Sequence, residues 1–279
     1  MQHLRMISLG AGVQSSTLYL AAVEGLLTPR PDFAVFADTQ AEPPWVYEYL
    51  WHLAETCGDV IPIYIATKGD LGADVLRGLR GQRFSSIPAR ILSRDGTRPS
   101  LLRRNCTRDY KIRPIMAAVR RIADLRPRQQ AKGRLHLEQW IGISVDEAHR
   151  MKPSRYPWVA VRYPLIELRW SRADCLRWLE SRGHPIPGKS ACYFCPYHDD
   201  AFWATLKTEA PDEFARAVAF DEALRRGRLR GVHGTPYLHR SLQPLATVPF
   251  ATMALQRAAG AVDQLEMDFG NECEGMCGV

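Results

Sequence analysis

The pattern of hydrophobic positions along the chain predicts an α/β protein. Four short apolar runs that barely alternate are typical of strands buried on both faces of a parallel sheet. They lie at 4–7, 33–37, 60–66 and 137–143. Segments with helical spacing separate them, so we expect a doubly wound parallel sheet with helices on both faces. This α/β domain is predicted over 1–183, and helical additions and a tail are predicted over 184–279.

Local signals predict one helix start, one helix break and one irregular region. Ser171 and Asp174 have the spacing of a capping box at the start of a helix. Pro211 divides an apolar-periodic segment into two helices. Residues 84–105 mix Ser, Pro, Arg and Gly, which indicates an irregular basic loop.

The first predicted strand runs directly into a glycine-bearing turn. Gly10 and Gly12 follow the strand, and Ser15 and Ser16 open the next helix. Glycines let the backbone approach a ligand closely, and the free N–H groups of a helix N-terminus attract anions. We therefore interpret the turn as a phosphate site; the alternative is a small-residue turn at which nothing binds.

Polar residues also follow the second predicted strand. Asp38, Thr39 and Gln40 come directly after it, and Glu42 is close behind. In an open parallel sheet, ligands bind at the carboxyl ends of the strands. The two strand ends together therefore predict one binding edge.

These two segments resemble the PP-loop superfamily of adenine-nucleotide enzymes, and most closely its PAPS reductase-like branch. The resemblance implies a PP-loop, Rossmann-like fold and a set of nucleotide-binding residues. In this chain they are Ser8, Gly10, Gly12, Gln14, Ser15, Ser16, Asp38 and Thr39. Gln14 stands where ATP-cleaving members carry Asp, whereas sulfonucleotide reductases often have Gln there. Ser15 and Ser16 resemble the ATP-cleaving side, so ATP, with Mg²⁺ beside it, and PAPS or APS stay open as substrates.

A later segment is similar to the family's strand-end motif that places Glu and Arg over the nucleotide. The resemblance implies that Gly142, Glu147 and Arg150 bind the nucleotide. The guanidinium fork of Arg150 suits a phosphate or a sulfate. Ser144 replaces the first Arg of the motif, and an ordinary i, i+3 helix pair between Glu147 and Arg150 is the alternative.

Cysteine spacing indicates a metal or redox centre. Cys192-x-x-Cys195 directs two thiolates at one point. Cys106 and Lys111 lie in a segment that resembles the one supplying half of a [4Fe–4S] site in cluster-bearing relatives, and the resemblance also implies that Lys111 contacts the nucleotide. We therefore expect a [4Fe–4S] cluster on Cys106, Cys192 and Cys195. The alternatives are zinc with His198 as the fourth ligand, a redox dithiol, and an unligated pair.

Composition and charge predict a cellular compartment and a candidate partner. No apolar run approaches the ~18 residues that span a bilayer, and the N-terminus lacks a signal-peptide pattern, so we expect a cytoplasmic protein with no membrane partner. Residues 77–134 hold fifteen Arg and two Lys against three Asp, a net charge of +14 in a chain of net charge +7. This basic insertion predicts nucleic acid or another anion as a partner; a solvated Arg-rich surface is the alternative.

Two cysteines, Cys273 and Cys277, lie in the last seven residues. Glu272-Cys273 resembles the C-terminal Glu-Cys of sulfonucleotide reductases, whose thiolate attacks the substrate sulfur, so both thiols are candidate catalytic groups. The expected function is that of an enzyme that reductively cleaves an adenylyl sulfate, with thioredoxin or another sulfur donor or reductant as a partner. The alternatives are ATP-dependent sulfur transfer to a nucleic acid, in a DNA-modification or CRISPR locus, and a nucleotide-binding accessory protein without turnover.

Overall fold

The structure, a computed structural model, describes residues 1–93, 99–250 and 252. Within this part the strands are β1 (Gln2–Leu9), β2 (Phe33–Asp38), β3 (Ile63–Thr67), β4 (Arg90–Leu92), β5 (Pro99–Leu101), β6 (Leu135–Ile141), β7 (Val159–Arg162) and β8 (Thr235–Tyr237). The α-helices are α1 (Val13–Val23), α2 (Pro44–Cys57), α3 (Leu71–Gly78), α4 (Arg113–Ile122), α5 (Pro164–Glu167), α6 (Arg172–Ser181), α7 (Asp200–Glu209) and α8 (Pro211–Arg226). A π-helical turn spans Thr107–Ile112, and 3-10 helices span Val145–Arg150 and Leu245–Thr247.

The central sheet has five strands in the order β3-β2-β1-β6-β7. All four pairings within it are parallel. The chain starts at the centre, moves outward through β2 and β3, and then returns to place β6 on the other side of β1. The direction of winding therefore reverses between β1 and β6, which makes that position the topological switch point of the sheet. The predicted doubly wound α/β fold is confirmed.

Helices cover both faces of this sheet, as a parallel sheet requires. On one face, strand residues such as Ile7 pack with buried side chains of α1, α2 and α6, among them Leu18, Leu53 and Leu179. On the other face the buried side chains of α4 pack against the sheet, with Val119 fully enclosed. β2 and the second half of β1 are buried on both sides for this reason, whereas β3, at the edge of the sheet, leaves Tyr64 and Ile65 exposed.

A second, smaller sheet lies within the region where the sequence predicts only an irregular loop. β4 pairs antiparallel with both β5 and β8, giving the order β5-β4-β8. The prediction of a wholly irregular segment at 84–105 was therefore wrong. Strands of three residues are too short to show a period of two, and their partner β8 is far away along the chain.

Both predicted helix signals are confirmed. Ser171 and Asp174 form a reciprocal capping box at the start of α6, and Pro211 separates α7 from α8. In the part of the chain that the structure describes, no helix combines the length and apolarity needed to cross a membrane.

Candidate functional site

The turn between β1 and α1 lies at the switch point of the sheet. Ala11 takes a left-handed backbone conformation with φ 55°, and Gly12 is the N-cap residue of α1. The Ser15 hydroxyl accepts a hydrogen bond from the Gly10 N–H (3.1 Å) and donates one to the Gly12 carbonyl (3.3 Å). Ser15 therefore stabilises the turn by linking its first residue to Gly12. A non-glycine residue in this conformation costs about 1–2 kcal/mol, which is a feature of functional turns.

The N-terminus of α1 is buried and has no cap. The first N–H groups of any helix have no carbonyl partner within the helix. Here no side chain caps them and the first turn carries no acidic residue, although Val13, Gln14 and Ser15 are all buried. Unpaired N–H donors at the positive end of the helix dipole are the standard means of binding a phosphate or sulfate. This is the strongest indication of a ligand in the structure.

The end of β6 packs directly on the first turn of α1. A Cβ atom added to Gly142 would lie 3.0 Å from the carbonyl carbon and oxygen of Gln14 and 3.0 Å from the Cα of Ser15. Gly142 is thus needed for this close approach. The Gln14 side-chain amide donates to the Ser144 hydroxyl at 3.4 Å. The other amide atom, Gln14 Oε1, is buried and has no hydrogen-bond partner among the described residues, so it is available to a donor on a ligand.

The end of β2 contributes Asp38 and Thr39, as predicted, but both make internal contacts. Asp38 Oδ1 accepts from the Gln40 N–H (2.7 Å) and the Tyr47 hydroxyl (2.9 Å). Thr39 is fully buried, and its hydroxyl oxygen lies 3.1 Å from the Cys192 sulfur. These residues therefore shape the edge of the site and brace the segment that covers it.

A covering segment, defined as residues 185–195, crosses the carboxyl edge of β1 and β2. Its Ser190 sits over the turn, since a Cβ added to Gly12 would be 3.6 Å from the Ser190 Cβ. Three hydrogen bonds fix the segment: Tyr49 O–H to the Pro185 carbonyl (3.0 Å), Trp45 Nε1–H to the Lys189 carbonyl (3.1 Å) and Tyr193 N–H to the Ala41 carbonyl (2.7 Å). The Cys-x-x-Cys motif is therefore placed beside the predicted phosphate site.

A buried ion pair lies beneath the covering segment. Lys111 Nζ is 3.8 Å from Glu42 Oε1, and the Cys192 thiol donates to the same oxygen at 3.9 Å. Burial raises the pKa of Glu42, and the charge of Lys111 opposes that rise. The resemblance implied that Lys111 contacts the nucleotide, which stays a prediction; in the structure its ammonium group lies against the buried Glu42 carboxyl group. Glu42 was not a predicted site residue, although its position shortly after Asp38 gave a signal.

The predicted metal ligands find no support in the described part of the chain. Among the residues that the structure describes, no three or more His, Cys, Asp or Glu side chains are grouped to hold a metal ion, so Cys106, Cys192 and Cys195 do not form a ligand set. His198, the expected fourth zinc ligand, directs Nε2 to the Cys192 carbonyl oxygen at 2.8 Å and stacks on Phe202 with ring centroids 3.6 Å apart. The expectation of a [4Fe–4S] cluster or zinc is therefore not supported.

Some of the remaining predicted residues are described by the structure, and the two cysteines of the tail are not. Ser8 accepts a hydrogen bond from the Gln139 amide at 2.7 Å, just before the turn. Glu147 and Arg150 form an i, i+3 ion pair of 2.6 Å on the 3-10 helix that follows β6, which is the alternative that the sequence left open. Cys273 and Cys277 lie outside the described residues.

Comparisons with known proteins give a partial likeness among solved structures. No family model matches the chain, and no curated protein matches it in sequence. Among solved structures, the chain is similar to the phosphoadenylyl-sulfate (PAPS) reductase of Candida auris in its phosphate complex. The two are 9% identical with a TM-score of 0.39, and the match covers 69% of this chain and 80% of that one.

Proposed function

We propose that this chain is an enzyme that binds an adenine nucleotide at the turn of residues 10–16 and acts on a sulfonucleotide such as PAPS or APS. One observation carries the proposal: the buried, uncapped N-terminus of α1 stands at the topological switch point of the sheet. That is the place where open α/β sheets bind nucleotides, and its unpaired N–H groups suit a phosphate. The parts of the proposal that name an adenine nucleotide and a sulfonucleotide rest on the resemblance of the sequence motifs.

The residues of the turn suggest how such a ligand is held. The absence of a side chain on Gly12 lets a phosphate approach the backbone closely. Gln14, which is buried beside the first turn, offers a neutral amide oxygen. Because a neutral amide is a weaker ligand for Mg²⁺ than a carboxylate, this turn suits a sulfonucleotide better than a metal-bound triphosphate.

The proposed reaction needs a thiolate and a reductant. The Cys273 thiolate would attack the sulfur of the substrate, forming an S–S bond and releasing the nucleotide with the phosphate oxygen as the leaving group. A dithiol such as thioredoxin would then release sulfite and form a disulfide. Cys277 is the second candidate thiol for this exchange.

Sulfur transfer to a nucleic acid, driven by ATP, is the second candidate. Arg108 lies in the π-helical turn and Arg113 begins α4, and their side chains are 46% and 61% exposed. They could meet a phosphate backbone, and this binding would weaken strongly with salt. Pyrophosphate release that requires nucleic acid would favour this function over the reductase.

Calorimetry with PAPS, APS, ATP and AMP tests the proposal. We expect at least one nucleotide to bind with a Kd below about 1 mM, or roughly −4 kcal/mol. With thioredoxin, PAPS or APS should yield sulfite, and truncation after Phe269 should abolish that yield but not the binding. Binding without turnover would indicate an accessory protein, and no binding by any of the four would refute the nucleotide site.

A further inference from the structure

A second candidate anion site lies on the face of the sheet that α4 covers. A cavity of about 210 Å³ opens there, between the π-helical turn, the start of α4, β6 and the loop before β7. It is smaller than the ~300 Å³ of the smallest drug-sized ligand pockets. It can therefore hold a small anion, or one end of a larger molecule.

Three arginines from two segments of the chain line this cavity: Arg108, Arg113 and Arg155. One carboxylate, Asp109, pairs with the first two, each at 3.0 Å. In the described part of the chain Arg155 makes no ion pair, so the surplus at the cavity is two positive charges. Each guanidinium carries five N–H donors, and Arg113 spends only one nitrogen on Asp109. Donors therefore remain for a ligand.

The rest of the lining suits a flat apolar group next to the anion. Ile112 and Met116 are buried and supply aliphatic surface, and the half-buried ring of Tyr156 adds an aromatic one. Gln139 and the Ser154 hydroxyl are the polar side chains beside the arginines. A ligand with a tetrahedral oxyanion on an apolar ring would complement both parts.

We propose that this cavity binds a phosphomonoester or a sulfate ester, with its oxyanion held by Arg113 and Arg155. A phosphomonoester carries a charge between about −1.5 and −2 at pH 7, which matches the surplus of two. A sulfate ester carries one charge but presents the same three outer oxygens, whereas a carboxylate has only two oxygens, which one guanidinium satisfies. The three converging arginines therefore favour a tetrahedral oxyanion.

The cavity is distinct from the turn that binds the proposed nucleotide. The Gln139 amide that lines it donates to Ser8, two residues before Gly10, so the cavity adjoins the strand that leads into the turn. None of the residues that line the cavity belongs to the turn of residues 10–16. The second site is thus suited to a co-substrate or to a regulatory anion.

Calorimetry on the full chain with phenyl phosphate and phenyl sulfate tests the proposal. These probes combine the oxyanion with an apolar ring and lack a nucleoside. We expect binding that weakens by about tenfold or more in Arg113→Gln/Arg155→Gln, because two charged hydrogen-bonding groups are lost. The matched control is Arg121→Gln/Arg126→Gln, two exposed arginines of the same basic insertion, which removes the same charge and should leave the affinity within about twofold.

Two further measurements distinguish a phosphate ester from a sulfate ester, and the cavity from the turn of residues 10–16. Affinity for phenyl phosphate should rise between pH 5 and 7, since its second proton is lost near pH ~6, while affinity for phenyl sulfate stays flat because arginine remains charged. Gly12→Ala should weaken nucleotide binding and leave both probes unaffected. The proposal fails if neither probe binds, if the control double variant loses as much affinity as the cavity variant, or if Gly12→Ala abolishes probe binding.

Discussion

The contact between Gly142 and the first turn of α1 predicts that Gly142→Ala damages both stability and ligand binding. The added Cβ would lie 3.0 Å from backbone atoms of Gln14 and Ser15, tighter than nearly all real contacts of this kind. A backbone cannot rotate away as a side chain can, so β6 and α1 must separate by a few tenths of an ångström. Overpacking of this kind costs about 1–3 kcal/mol. The displaced amides should weaken nucleotide binding by about tenfold, or roughly 1.4 kcal/mol.

Urea unfolding and calorimetry with PAPS or APS measure the two effects. Gly12→Ala is the matched control: its new Cβ would meet Ser190 at an ordinary 3.6 Å, and the φ of −99° at Gly12 is accessible to alanine. It should lose less than about 1 kcal/mol of stability and still lose nucleotide affinity. The reasoning is refuted if Gly142→Ala unfolds within about 0.5 kcal/mol of the wild type and binds the nucleotide equally well.

Three further predictions concern buried polar groups. Burial raises the pKa of Cys175 to about 12, so iodoacetamide at pH ~8 should modify this thiol after the other cysteines of the native protein. Mass spectrometry of timed samples checks the order. Early modification of Cys175 would contradict its burial. Burial lowers the pKa of His239, so the unfolded chain takes up more protons and the free energy of unfolding should fall as pH drops below ~6.5. In His239→Gln, urea unfolding should show a dependence of that free energy on pH that is smaller by up to about 1.4 kcal/mol per pH unit. An unchanged pH dependence would contradict the assignment. Asp221 accepts hydrogen bonds from the N–H groups of Leu238 (3.0 Å) and Leu245 (3.1 Å). Asp221→Ala should lower the free energy of urea unfolding by roughly 2–6 kcal/mol, because each buried N–H left without an acceptor costs about 1–3 kcal/mol. A decrease below about 1 kcal/mol would show that these N–H groups find other partners.

The parts of the fold that could be predicted are those with a local cause. Apolar runs of four to seven residues mark the strands of the central sheet because both faces of that sheet are covered. Gly10 and Gly12 mark the turn after β1 because a tight strand-to-helix connection needs small residues. The capping box at Ser171 depends on residues three apart. Each of these signals lies within a few positions of the structure that it predicts.

The parts that could not be predicted depend on tertiary placement. The partner of β4 is β8, more than a hundred residues away. Lys111 meets Glu42 because the π-helical turn lies against the end of β2, and spacing alone does not reveal that contact. The arginines of the second cavity come from two separate segments, and Arg155 belongs to no motif.

Amide nitrogen–proton spectra of the full chain, recorded as nucleotide is added, test the central claim most directly. The claim is that the N–H groups at the start of α1 bind the phosphate or sulfate of the ligand. We predict that PAPS or APS shifts the amide signals of residues 11–15 most strongly, and that Gly12→Ala reduces those shifts at equal concentration. Saturable binding that moves signals elsewhere and leaves residues 11–15 in place would contradict the account.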